Sequence, residues 1–366
     1  MTNAGRQRVG RLLGYTLIGT GAAALVAAVL LPTYIVPRLK RIPADIRTEA
    51  VSLASNASVL DVPALTRGRM ATETGVPLKI QTLAVSARPT DADRVTLVVS
   101  TRLLRTDRPS ASGLVSAHVD SVTLSRTTSE PVDPPGQIAL DYGKQPDTVT
   151  RTGFQYHFPF DAQKTNYPYF DDTARKEVPI GFVDDDRVES GLRLFHYRQS
   201  VGPIDLYPTQ PDMETTVPAS WWGLPGDEQV RFDLYYSTTR DIWVEPASGV
   251  IIEQREHLHR FLARSVDDPL AVTSLEIQTH FDGQSINDAV QTARAARTLI
   301  RWGDIYAPGI LGVVGVVAAL GGLMILRRRE TRLPRIGDRH VAGVNNHDAD
   351  GGEQLTVEDV AVEHDL

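Results

Sequence analysis

Two windows of this chain contain no charged residue, and they dictate most of what it can fold into. Residues 12–36 and 305–326 are uncharged throughout and mostly apolar. As a helix the first would be about 37 Å long, enough to cross the hydrocarbon core of a bilayer with some tilt. Buried helices of a soluble protein would be shorter and less completely free of charge. Arg6, Arg8 and Arg11 precede the first window, as in a signal peptide. The run nevertheless continues through Tyr34-Ile35-Val36, past any small-residue cleavage site near Ala27-Ala28, so a retained anchor is expected.

The second window holds Gly309, Gly312, Gly315, Gly321 and Gly322, with Trp302 and Tyr306 placed for the headgroup layer. Arg327, Arg328, Arg329, Arg332 and Arg335 follow it, a stop signal that assigns the C-terminus to the cytoplasm. Two spans then put the N-terminus there too. The expected order is a cytoplasmic segment 1–11, a transmembrane helix 12–36, an extracytoplasmic domain 37–304, a transmembrane helix 305–326 and a cytoplasmic tail 327–366. The glycines would let one anchor approach the other closely, although Gly is frequent in any membrane helix. The tail turns acidic after Arg335 and has no apolar face, so disorder is expected there.

The middle of the chain reads as α+β and β-rich: a single extracytoplasmic domain of mainly antiparallel strands with flanking helices, bracketed by the two transmembrane helices. Residues 78–87 alternate apolar and polar side chains, and residues 94–104 are rich in β-branched ones. Similar patterns cover 113–126, 154–159, 191–197, 229–239 and 271–281. The clearest hairpin runs from Asp241-Ile242-Trp243-Val244-Glu245 through Pro246-Ala247-Ser248-Gly249 into 250–262. Helical patterns are expected over 44–60 and 286–302. The second, capped by Ser285 or Asn287, is positioned to run on into the membrane helix as one rod.

Several chemistries are excluded by composition. The chain has no cysteine, which removes thiol catalysis, thiolate metal sites and disulfides. Its net charge of −7 argues against nucleic acid as a partner. The motifs G-x-S-x-G, H-E-x-x-H, G-x-x-x-x-G-K-[ST] and G-x-G-x-x-G are all missing, which points away from an enzyme, and no cofactor is implied. Asp184-Asp185-Asp186 with Glu189 lacks the ligand spacing of a calcium loop and reads as a solvated turn. His257 and His259 share one strand face near Glu253 and Glu256, but no third ligand has clear spacing, so they read as surface histidines and no metal site is assigned.

One segment does invite a ligand. Residues 154–172 concentrate aromatic rings among His157, Asp161, Lys164, Asp171 and Asp172. Phe158, Phe160, Tyr167 and Tyr169, with Trp221 and Trp222 further on, are the candidate ligand-binding residues. Rings stack while polar tips orient, which suits a carbohydrate or lipid headgroup; the competing expectation is a loop packed into the core by bulky side chains.

Leu31-Pro32-Thr33-Tyr34 running into Arg41-Ile42-Pro43, Phe158-Pro159-Phe160 with Tyr167-Pro168-Tyr169-Phe170-Asp171, and Asp241-Ile242-Trp243-Val244-Glu245-Pro246 followed by Ser248-Gly249-Val250-Ile251 together resemble the actinobacterial porin PorA-like membrane protein family. The resemblance spans everything but the acidic tail. It implies a cell-envelope protein of the mycolate-type surface, with membrane lipids, a lipid or lipoglycan ligand and other envelope proteins as partners. It carries no catalytic residues. A porin crosses lipid as a closed barrel, whereas two helices do so here, so a pore through the β domain is not expected. The two-anchor layout also resembles, by topology alone, the class B scavenger receptors, whose β-rich domain carries a lipid tunnel.

The expectation is therefore a plasma-membrane protein whose outer domain binds or helps transfer a lipid or glycolipid. The alternatives are a carbohydrate- or lipid-processing hydrolase using Asp161, Asp171 or Asp172, and a structural subunit of an envelope complex or channel-associated protein.

Overall fold

A computed structural model of the chain describes residues 3–109, 112–139 and 145–330. The acidic tail lies outside the described residues. The fold is α+β: a large antiparallel sheet flanked by two long apolar helices.

The N-terminal helix α1 (Asn3–Leu30) continues through a π-helical turn, Leu31–Ile35, into the short α2 (Val36–Leu39). Pro32 occupies the first turn of the π segment, where its missing N–H costs least. At the other end α4 (Gly283–Arg301), a second π turn (Trp302–Tyr306) and α5 (Ala307–Glu330) form one rod; the helix is unbroken from Gly283 to Arg328, 46 residues. The sequence placed the cap of α4 at Ser285 or Asn287. It is Asp282, whose side chain accepts from the Ser285 N–H at 2.8 Å, because the preceding strand delivers the chain one turn earlier. The two apolar helices make this a two-pass membrane protein.

Two of the anchor glycines make helix contacts. Gly315 lies against the Gly21 carbonyl and Leu25; separately, Gly322 lies against the Gly14 carbonyl and Ile18. A Cβ at either position would overlap backbone, so a hydrogen side chain is required for these approaches. Gly309, Gly312 and Gly321 face open space.

The strands are β1 (Arg47–Leu60), β2 (Thr72–Ala87), β3 (Arg94–Arg105), β4 (Leu114–Ser125), β5 (Gly136–Ala139), β6 (Asp147–Val149), β7 (Tyr167–Asp171), β8 (Lys176–Asp184), β9 (Val188–Glu189), β10 (Leu192–Arg193), β11 (Phe195–Asp205), β12 (Thr215–Pro218), β13 (Gln229–Glu245), β14 (Val250–Ala263) and β15 (Val272–Phe281). Thirteen of them form one sheet in the order β6-β5-β4-β3-β2-β1-β15-β14-β13-β11-β8-β7, with β12 added beside β13. A short helix α3 (Val62–Thr66) joins β1 to β2.

The sequence read residues 44–60 as helical, and here the structure differs. Residues 47–60 are strand β1, hydrogen-bonded along β2 from Arg47↔Val85 to Leu60↔Thr72. Ala, Leu and Glu favour helix locally, but pairing with β2 throughout and with β15 from Ser52 onward outweighs a propensity of tenths of a kcal/mol per residue. Residues 154–159 also differ: they make one isolated bridge, Phe154↔Tyr169, and otherwise run as a packed loop.

That bridge draws the sheet's two edges together. Phe170 of β7 joins Ile138 of β5 and Val149 of β6 in one buried cluster. Arg175, just past β7, pairs with Asp147 of β6 at 2.6 Å. The sheet therefore curls on itself.

It is incomplete at one place. β15 ends at Phe281, opposite Ser52 of β1. Residues 47–51 of β1 and 250–254 of β14 consequently have no β15 partner between them. Helix α4 occupies this gap. It seals firmly against β14, where Val290 and Ala293 are buried with Ile252 and Trp243. Toward β1 its described bonds are confined to the first turn, where the Val51 N–H donates to Ser285 Oγ and the Asp282 N–H donates to the Val51 carbonyl, both at 2.8 Å.

The β13–β14 turn is fixed by Gly249, whose φ is +73°. Its N–H donates to the Glu245 carbonyl at 2.9 Å and its carbonyl accepts from the Phe158 N–H at 3.0 Å. A Cβ there would collide with the Phe158 carbonyl oxygen. Gly249→Ala is expected to destabilise the domain by about 3 kcal/mol or more, through forced φ and this overlap together; thermal unfolding checks it, and a loss under 1 kcal/mol would contradict the geometry.

Candidate functional site

The curled sheet encloses a cavity of about 970 Å³. Its walls follow from the period of two along each strand, which sends alternate side chains to one face. Leu97, Val99, Thr101 and Leu103 of β3 face it, as do Ile80, Thr82 and Ala84 of β2. Leu275, Ile277, Thr279 and Phe281 of β15 complete an apolar wall.

The wall that adjoins it beyond β15 is polar. On β14 the inward residues are Gln254, Glu256, Leu258 and Arg260, joined by Arg240 of β13, His118 of β4, and Asp172 and Thr173 after β7. His257 and His259 consequently fall on the outer face, where His257 meets Glu276 at 3.1 Å and His259 meets Thr273 at 3.0 Å.

Arg240 organises this wall. It is 7% exposed, donates to Gln199 Oε1 at 2.6 Å and Glu256 Oε1 at 2.7 Å, and reaches Asp171 Oδ2 at 3.4 Å. Asp171 also accepts from Tyr236 Oη at 2.9 Å and the Ala174 N–H at 2.7 Å. Burial raises the pKa of Asp171 despite Arg240. The adjacent Asp172 goes the other way: burial alone would raise it, but His118, at 3.7 Å, with Arg240, Arg151 and Arg260, brings it below the usual carboxylate range. The polar wall thus carries a net positive field at Asp172.

A second network fastens the 154–159 loop beside it. Asp120 of β4 takes a bidentate pair from Arg151 and a hydrogen bond from the Tyr156 hydroxyl, and Gln155 and Tyr156 line the cavity. His157 in this loop bonds Ser129 Oγ at 3.0 Å, and burial lowers its pKa from 6.5 to about 4. Folded protein therefore holds this ring neutral where an unfolded chain would protonate it. The contribution is intact above pH 6.5 and is lost as pH falls from 6.5 toward 4, by about 3 kcal/mol. His157→Gln is expected to flatten the stability–pH curve over this interval, measured by urea unfolding; an unchanged slope would contradict it.

Of the six candidate ligand residues, the structure places Tyr169 on the large cavity and Trp221 on a second, apolar one of about 400 Å³ beside Leu60, Met70 and Leu262. Phe158 is fully buried and stacks on Tyr197 at 4.9 Å; Trp222 is buried on Phe232. Phe160 packs against the cluster around Val95, and Tyr167 edges Phe154 and Phe158. Asp161 pairs with Lys40 at 2.8 Å, away from Asp171 and Asp172. In the acidic run, Asp184 meets His196 at 3.0 Å while Asp185 takes Lys164 and Arg193.

His118, Arg240, Glu256 and Arg260 were not singled out as a set by sequence, because β4 lies far along the chain from the β13–β14 hairpin that it meets here. The signal available was Glu256 and Arg260 standing four residues apart in the same alternate row as Ile252 and Leu258.

Comparison with known proteins gives one consistent result. The sequence model of the Porin PorA family matches residues 13–324. A Porin PorA of Corynebacterium amycolatum is 31% identical over 380 residues, covering 86% of this chain and 98% of that protein. A Porin PorA of Corynebacterium resistens is 28% identical over 409 residues, covering 87% and 97%.

Proposed function

The chain belongs to the Porin PorA family, and from that premise and the enclosed cavity we propose that this membrane-anchored envelope protein binds an amphiphilic lipid or glycolipid in its β domain and exchanges it with the bilayer. The single observation that carries this reading is a cavity of about 970 Å³ with one apolar and one charged wall. A volume at the upper end of the range for small-molecule sites suits a chain-bearing ligand. Acyl chains would lie on the β2, β3 and β15 wall, and a polar headgroup would meet the β14 wall.

The seam between α4 and residues 47–50 of β1 is the entrance. Arg47, Thr48, Asp288 and Thr292 line it and are exposed, and the helix on its other side runs directly into the second anchor. We place the domain on the extracytoplasmic side and both termini in the cytoplasm, on the strength of Arg327, Arg328 and Arg329 after the second anchor.

The family name of the relatives suggests a pore. Helical anchors and an asymmetric, ligand-sized cavity favour binding instead. The opposed pKa shifts of Asp171 and Asp172 are the observation that favours a hydrolase. Against it, Asp171 is already held by Tyr236, Ala174 and Arg240, which is the bonding of a structural carboxylate.

Native mass spectrometry of the full chain purified from its own membranes is the test. A lipid-sized adduct that survives micelle removal is expected. Protein that carries none, and acquires none from vesicles, would end the proposal.

A further inference from the structure

We infer that the polar wall selects amphiphiles with an acidic headgroup, a carboxylate or a phosphate, and that Arg260 is the residue that reads it. This rests on the cavity being a lipid site. Arg240 is already balanced by Asp171 and Glu256, so its charge is spent within the protein. Arg260 differs. It lines the same wall, yet no carboxylate lies within 4 Å of it among the described residues. It donates to Thr173 Oγ1 at 3.1 Å and lies over the Tyr236 ring at 6.0 Å. Its Nε–H is buried without an acceptor. A guanidinium has five N–H donors in a planar fork that matches two anionic oxygens.

The rest of the wall supports an anion there. His118 sits across at Asp172, and Gln254 and Thr173 supply neutral polar groups. Glu256 is taken by Arg240 and Asp172 faces His118, so selectivity is set by Arg260 and not by overall charge. The depressed pKa of Asp172 agrees, since it reports cationic surroundings strong enough to offset burial. The expected pose has the acid group on Arg260 and the chain running along Leu258, Ile277 and Leu103.

The test is competition on the full chain, using native mass spectrometry after incubation with equimolar oleate, lysophosphatidate and monooleoylglycerol. These share one acyl chain and differ in head. Wild type is expected to take an acid over the glyceride by about tenfold or more, as a charge-assisted pair in a partly buried site implies. Preference for oleate or for lysophosphatidate separates the carboxylate source from the phosphate source. Arg260→Gln should bring the acid-to-glyceride ratio close to one, and Arg260→Lys should retain part of it, with circular dichroism confirming the fold of both. A ratio near one in wild type, or one unchanged in Arg260→Gln, overturns the assignment while leaving lipid binding intact. Uptake of none of the three probes overturns both.

Discussion

Thr48→Cys and Thr292→Cys, joined by a reducible thiol crosslinker spanning about 10 Å, stop lipid from entering or leaving the cavity. The two positions line the cavity on either side of the seam. From the Val51–Ser285 contact, three strand residues back and two helical turns forward each advance about 10 Å along the same direction. The chain contains no cysteine, so the two introduced thiols are the only ones that react. Exchange of fluorescent lipid with vesicles is expected to slow at least about tenfold in the bridged form and to recover on reduction, because closing a route raises the barrier without altering the site. The reduced form is its own control for folding. Equal exchange rates before and after bridging would move the entrance elsewhere and break the link between α4 and ligand passage.

Arg240→Leu unfolds the domain at much lower temperature. The guanidinium offsets two carboxylates within a wall that water barely reaches, and leucine leaves both uncompensated. Breaking a buried pair by removing one partner costs about 3–5 kcal/mol, which for a domain of this size lowers Tm by about 10 °C. Part of the loss should be restored by adding Asp171→Asn and Glu256→Gln, since neutral amides of similar shape no longer need a cation. The deficit should also shrink in acid, where protonation of the stranded carboxyls relieves their repulsion. A single variant that melts within a degree or two of wild type would mean that the network is not holding the wall.

The architecture was legible from the sequence wherever a signal was local. Uninterrupted apolarity revealed both anchors, and Pro246 with Gly249 revealed the β13–β14 turn. Alternation revealed β2, a β-branched run revealed β3, the hairpin carried on into β14, and the pattern over 286–302 revealed the rod into the second anchor. What was lost depended on partners far along the chain. β1 looks helical until β2 and β15 are beside it. Residues 154–159 look like a strand because their rings alternate, but Arg151 and Tyr156 fold the segment onto Asp120. The site suffered most. Asp171 and Asp172 stood out in the sequence, while His118, Arg240 and Arg260, which hold Asp172 low against its burial, lie on β4, β13 and β14. No spacing rule connects those positions; the curl of the sheet does.

The helix from Gly283 to Arg328 is both a side of the cavity and a membrane span. Its first 19 residues, α4, form a lever of about 28 Å. When the span leans 10° further to fit a thinner bilayer, the far end of a rigid lever swings by about 5 Å, comparable with the width of an acyl chain. Bilayer thickness thereby becomes a mechanical input to the protein, and the exchange proposed above would run at different rates in membranes of different composition.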